Sequence, residues 1–167
     1  MLVRRAISEE VAAVMALVRR VVPLMRASGN FQWDDEYPNP GVFERDVERE
    51  QLWLAEIEGH IAGIAAITTD QQPEYAEVGL DVAEQAIVVH RLAVDPVFRG
   101  KGAAAALMLQ AEVVARQRKI TVMRVDTNTQ NQAAQKLFPK LGYALAGEVG
   151  LAFRPGLRFR CYEKRLL

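Results

Sequence analysis

The stretch Arg99-Gly100-Lys101-Gly102-Ala103-Ala104 follows an apolar run at residues 86–94 and opens an amphipathic run at residues 103–118. A strand therefore feeds a glycine turn, and the turn feeds a helix. In that arrangement the backbone N–H groups of the turn and of the first helical turn lack partners and point the same way, reinforced by the positive end of the helix dipole. The result is an anion cradle suited to phosphate. Lys101 strengthens this reading, because a cation at a helix N-terminus opposes the dipole and costs roughly 0.3–1 kcal/mol unless something negative sits there. A plain turn, whose glycines satisfy left-handed backbone angles beside exposed basic residues, fits the same letters.

Three ligand classes use such a turn. The nucleoside triphosphate loop needs a glycine upstream of its Gly-Lys pair, where Asp95 stands, and a hydroxyl residue after it, where Gly102 stands. The dinucleotide fingerprint is closer, since Gly100-Lys101-Gly102-Ala103-Ala104-Ala105 fits its glycine-alanine form and Asp126 ends a following strand. Topology excludes it. A dinucleotide fold needs several further strand-helix units after the fingerprint, whereas here the turn begins only at Arg99 and the chain ends at Leu167.

The third class is acyl-CoA. Arg99-x-x-Gly102-x-Ala104 resembles the phosphate loop of the GNAT superfamily of acyl-CoA-dependent N-acyltransferases. The preceding His90-Arg91-Leu92-Ala93-Val94-Asp95-Pro96 resembles the fourth strand of that family. Asn131-x-x-Ala134 and Lys140-Leu141-Gly142-Tyr143 resemble its next helix and exit turn, and Tyr162-Glu163-Lys164 its last strand. The ordered set is specific, and it covers the chain from about Leu52 to the C-terminus, with a plausible N-terminal helical region.

Patterning along the chain agrees. Residues 2–7 read as a strand, and Ser8 with Glu9 and Glu10 starts a helix toward Arg26 whose stripe is Val11, Val14, Met15, Val18 and Val22, with Pro23 as a potential kink. Pro40-Gly41 opens a second helix through about Glu50. Residues 52–56 and 61–69 form a hairpin through Glu58-Gly59-His60, residues 70–84 a polar link, and residues 85–94 a central strand covered on both faces. The helix at 103–118 packs through Leu107, Ala111, Val114 and Ala115, and residues 121–126 return as a strand parallel to the central one. Residues 131–140 form a short helix that Pro139 bends or ends, and residues 143–148 and 159–164 a final antiparallel pair. The expected fold is α/β (α+β): a GNAT-like mixed, mostly antiparallel sheet of six to seven strands, with helices on both faces and a central parallel pair, in a single domain at residues 1–167.

Composition excludes other classes. Basic and acidic side chains balance at 21 each, which argues against a nucleic-acid or anionic-membrane binder. Cys161 is the single cysteine, so no internal disulfide forms and a reducing cytoplasm is the expected home. No apolar run approaches the ~20 residues of a membrane span, and no His, Cys and carboxylate cluster has metal-ligand spacing.

The resemblance implies transfer of an acyl group, most often acetyl, from acetyl-CoA or another acyl-CoA to an amine. Backbone N–H groups of Arg99, Gly100, Lys101, Gly102, Ala103 and Ala104 would hold the pyrophosphate, and the strand edge at Leu92, Ala93 and Val94 the pantetheine. The N–H groups near Leu92 and Ala93 would stabilise the tetrahedral oxyanion. Asn131 corresponds to the asparagine that touches the pantetheine arm, although it also reads as a helix cap. Phe138 departs from the family, standing where many members carry the tyrosine that protonates the leaving thiolate. That departure keeps a second reading open, a non-catalytic CoA-binding sensor or interaction module of the same fold.

The acceptor ammonium, with a pKa of about 10, must lose a proton before it attacks. His90, Glu77, Asp81 and Glu84 lie on or before the central strand, where the family often places a base. Acceptor choice falls to the acidic-aromatic segment that holds Trp33, Asp34 and Tyr37, or to Arg154 and Arg158, which suit an acceptor carboxylate. The expected partner is a small-molecule or peptide amine, with no nucleic acid and no membrane, in a homodimer of the kind common among relatives.

Overall fold

The computed structural model describes residues 1–167 as seven strands in one sheet flanked by four α-helices. Strands β1 (Leu2–Arg5), β2 (Leu52–Ile57), β3 (His60–Thr68) and β4 (Ile87–Val94) follow one another antiparallel. Strand β5 (Val122–Asn128) pairs parallel to β4, and β7 (Arg158–Arg165) inserts antiparallel between β5 and β6 (Ala144–Gly150). The sheet order is therefore β1-β2-β3-β4-β5-β7-β6, a mostly antiparallel sheet with one parallel pair.

Helices α1 (Val11–Ala27) and α2 (Pro40–Glu48) cover one face, where Val14, Leu17, Val18 and Phe43 pack with Leu54, Ile64 and Ala93. Helices α3 (Ala103–Gln117) and α4 (Gln132–Lys140) cover the other, where Leu107, Met108 and Phe138 pack with Ile87, Met123 and Tyr162. The start of α3 lies almost on β3. A Cβ at Gly63 would stand 3.2 Å from both the Ala93 carbonyl oxygen and Leu107 Cδ1. This close approach fixes where the uncapped end of α3 points.

The parallel pair is short. Register holds only from Ile87 opposite Met123 to Val89 opposite Val125, and beyond it the two strands run on unpaired. On its other side β4 carries a bulge: Ala93 faces Ile64 and His90 faces Ala66, so Arg91 and Leu92 together oppose Ala65. Arg91 takes φ +53°, a left-handed backbone that costs a side-chain-bearing residue about 1–3 kcal/mol. Its guanidinium offsets that strain by gripping Asp46 on α2, Nε to Oδ2 and Nη2 to Oδ1, both at 2.7 Å. Burial follows the same division: Ile87, Val88 and Val89 are buried, whereas His90, Arg91 and Leu92 are partly open.

Three segments differ from the sequence-based expectation. The expected polar link at residues 70–84 contains a 3-10 turn, Pro73–Val78, because Tyr75 turns inward and is fully buried over Val88, Val122 and Phe159. Helix α2 stops at Glu48, with Glu50 at φ +56°, and the start expected at Ser8 is a 3-10 turn, Ser8–Glu10, ahead of α1. Pro23 does not break α1, since it lies on the exposed face with Arg19, the residue whose carbonyl loses its partner.

Candidate active site

A groove of about 660 Å³ opens where β4 and β5 part. Its floor is Leu92, Ala93 and Val94, and its far end is Arg99, Gly100, Gly102 and the first turn of α3. Gly102 caps α3 at φ +84°, no side chain bonds the first turn, and a Cβ built there meets nothing within 4 Å. An uncapped helix start with open space before it is a ready anion site, and it fits a pyrophosphate. Arg99 lines this end, while Lys101 is exposed and lies outside the lining. Leu24, Phe98 and Leu137 give the groove apolar walls, which suit an extended thiol arm.

A second, smaller cavity of about 60 Å³ lies on the other side of the same opening. Trp33 and Tyr37 come from the loop between α1 and α2, His90 and Arg91 from β4, Asp126 from β5, Phe138 from α4 and Phe153 from the β6–β7 loop. Leu92, Asn131 and Ala134 line both spaces, so the two meet there. Asn131 is the N-cap of α4, its Oδ1 accepting from the Ala134 N–H at 3.1 Å, and its amide NH2 makes no bond in the chain.

The polar groups of the cavity are differently committed. His90 Nε2 lies 2.7 Å from the Asp70 carbonyl oxygen. A carbonyl only accepts, so Nε2 carries the hydrogen and the neutral ring keeps its lone pair on Nδ1. Burial pushes the Asp126 carboxyl above the usual carboxylate range, against the opposing pull of nearby His90 and of the Tyr75 hydroxyl, which donates to Oδ2. Asp34 is held below that range by the backbone N–H groups of Glu36 and Tyr37 and by Arg154. Cys161, opposite Asp126 in the sheet, is pushed up to about 12 by burial and the neighbouring carboxylates, so it is no nucleophile at neutral pH.

Of the acceptor residues expected from sequence, Trp33 and Tyr37 line the cavity. Asp34 and Arg154 stand behind it, bonded to each other at 3.1 Å with the guanidinium 5.3 Å from the Tyr37 ring centroid. Arg154 Nε and Nη2 are buried without partners, whereas Arg158 pairs with Glu148 at the surface. Among the expected bases only His90 borders the cavity. Glu77 is exposed, Glu84 is bonded to Arg165 at 2.7 Å, and Asp81 accepts from the Ala83 N–H. Phe138 is 1% exposed and meets Tyr162 edge-on, so it offers apolar surface and no proton. Sequence reasoning missed Asp126 as a cavity residue. Its signal is an acid ending an apolar strand beside the central one, a position that the sequence alone connects only with the dinucleotide fingerprint. No group of three or more His, Cys, Asp or Glu side chains converges as for a metal, and no helix is long and apolar enough to cross a membrane.

Residues 18–143 match the acetyltransferase (GNAT) family. A GNAT-family acetyltransferase from Streptococcus agalactiae is 27% identical, with 99% of this chain and 95% of that one covered at a TM-score of 0.83. The yncA structure from Salmonella typhimurium, solved with its cofactor acetyl-CoA, is 20% identical over 100% of this chain and 94% of that one, and at a TM-score of 0.73 it shares the fold. N-acetylaspartate synthetase from Danio rerio is 28% identical over 106 residues, 64% of this chain and 34% of that protein. The chain thus spans about a third of the length of that curated relative.

Proposed function

Because this chain belongs to the GNAT acetyltransferase family, we propose that it transfers an acetyl group from acetyl-CoA to a primary amine of a small molecule, amino acid or peptide. The observation that carries the reading is the meeting of a long apolar groove, ending in a helix-start anion cradle, with a small polar cavity at Leu92, Asn131 and Ala134. The donor enters from one side and the acceptor from the other.

The backbone N–H groups of Gly100, Lys101, Gly102, Ala103 and Ala104 take the pyrophosphate, whereas the expected Arg99 N–H is donated to the Pro96 carbonyl at 3.4 Å. The edge at Leu92, Ala93 and Val94, with the free amide of Asn131, holds the pantetheine. The Leu92 N–H beside the bulge is the fixed dipole that favours the oxyanion over the ground state. The expected Ala93 N–H is not available, because the Ala93–Ile64 pair lies two residues along the ladder from the Asp95 N–H to Ala62 carbonyl bond and so directs its N–H at β3. The amine nitrogen forms its bond to the carbonyl carbon, the C–S bond breaks, and the sulfur departs as thiolate. With a thiol pKa of about 8.5, that departure needs little help from an acid, which is consistent with phenylalanine at position 138. Likeness to N-acetylaspartate synthetase supports an amino-acid amine among the acceptors. Exposed Leu145 on the edge strand β6 supports pairing with a second copy.

Incubation with acetyl-CoA and a panel of primary amines, read as free thiol, tests the function. Acceptor-dependent thiol release is expected. Tight acetyl-CoA binding with no release for any amine would overturn it in favour of a CoA-binding sensor.

A further inference from the structure

Asp126 is the only carboxylate that lines the acceptor cavity. Other acids of this region lie outside the lining and are already bonded: Glu74 accepts from the Ala152 N–H, Asp34 is bonded to Arg154, and Asp46 holds Arg91 through both oxygens. Asp126 has no arginine or lysine partner. Its Oδ2 accepts from the Tyr75 hydroxyl, while Oδ1 makes no bond in the chain and is not sealed from the cavity. A partly desolvated carboxylate with one free oxygen, facing the aromatic rings of Trp33, Tyr37, Phe138 and Phe153, is matched to a cation rather than to an anion.

We propose, resting on the acceptor-cavity reading above, that the Asp126 carboxylate receives the acceptor as an alkylammonium ion and takes its proton. The acidic loop at Asp34 does not meet the acceptor; it fixes Arg154 and the wall behind Tyr37. In the step itself, one N–H proton passes from the ammonium to Asp126 Oδ1, and the freed lone pair forms the N–C bond. As the C–S bond breaks, the second N–H proton goes to the departing thiolate, and Asp126 releases its proton to solvent after the amide leaves. Nothing is oxidised or reduced. His90 stands alongside with Nε2–H committed to the Asp70 carbonyl and Nδ1 open, so the His90→Gln variant below separates it from Asp126 as the base.

The groups facing Asp126 are His90 on β4, Tyr75 and Glu74 on the turn at Pro73–Val78, and Cys161 on β7. Tyr75 favours the charged carboxylate, so removing its hydroxyl raises the Asp126 pKa. The charged form accepts the proton, and activity is therefore lost as pH falls through that pKa.

The test uses 1,4-diaminobutane, glycinamide and lysine methyl ester with acetyl-CoA, with thiol release followed from pH 5 to pH 10. For each amine turned over, Asp126→Asn is expected to lower kcat/KM at pH 7 by about 100-fold or more, with acetyl-CoA affinity unchanged. The residual rate should climb about tenfold per pH unit toward the pKa of the reacting amine, about 10 for an alkylammonium such as 1,4-diaminobutane and about 8 for an α-amine such as that of glycinamide, because only free amine now reacts. Tyr75→Phe should move the acidic limb of wild-type kcat/KM to higher pH. This second variant decides the matter if Asp126→Asn does not fold. The proposal is overturned if Asp126→Asn stays within a few-fold of wild type, if the limb stays put in Tyr75→Phe, or if the limb disappears in His90→Gln instead. Wild-type thiol release that no amine increases overturns the transferase reading as well.

Discussion

The groove proposed for the donor and the cavity proposed for the acceptor share three residues and are built on opposite principles. The groove presents backbone: a glycine turn, an uncapped helix start and a strand edge. The cavity presents side chains drawn from six separate segments, the loop before α2, the β3–β4 link, β4, β5, α4 and the β6–β7 loop. Backbone donors tolerate changes of side chain and fail when the chain path is blocked. Side-chain sites fail one residue at a time. A family can thus keep one cosubstrate while its acceptors diverge, because the two halves are encoded in different parts of the chain.

The largest effect should come where the halves are mechanically joined. Asp46→Ala leaves the Arg91 guanidinium buried without its anion and the bulge without its clamp. Breaking such a pair costs about 3–5 kcal/mol, read as a lower urea midpoint, and the bulge should relax so that both acetyl-CoA affinity and turnover fall. Retained stability would mean the strained strand holds itself. Next in size is Gly102→Val, which fills the cradle and forces a β-branched residue to φ +84°. Losing two hydrogen bonds to a charged phosphate, at about 1.5–3 kcal/mol each, weakens acetyl-CoA by about 100-fold or more in calorimetric titration. Lys101→Ala, outside the groove lining, should change the same titration by less than about threefold. Equal losses for the two variants would break the backbone account. The smallest effect is expected from Asn131→Ala, where loss of the α4 cap costs about 1 kcal/mol of stability by thermal unfolding, with a comparable loss of donor affinity.

The contrast also explains how much of the protein was legible in its sequence. The parallel crossover, the hairpin and the glycine turn were readable because each is local: glycines at 100 and 102, a following amphipathic helix, and an apolar strand before them. The bulge of β4 was not readable, since its arginine takes a left-handed conformation and is held by an aspartate on helix α2, 45 positions away. Tyr75 looked like one residue of a polar link, yet its ring fills the core and its hydroxyl bonds Asp126 across 51 positions of sequence. The acceptor half is encoded in such distant pairs. Position on or before the central strand therefore pointed to His90, which borders the cavity, and to Glu77, Asp81 and Glu84, which do not line it, and passed over Asp126, which does.

The Arg154–Asp34 bond joins residues 120 apart. Loop closure over that span is entropically expensive, and contacts of high sequence separation govern the slow part of folding. The phosphate turn, by contrast, is made by consecutive residues and needs little chain to be in place. On refolding from denaturant, the wall behind Tyr37 is complete only when both ends of the chain have arrived. Recovery of turnover is thus a clock for the last step of assembly, and helix signal by circular dichroism is a clock for the first.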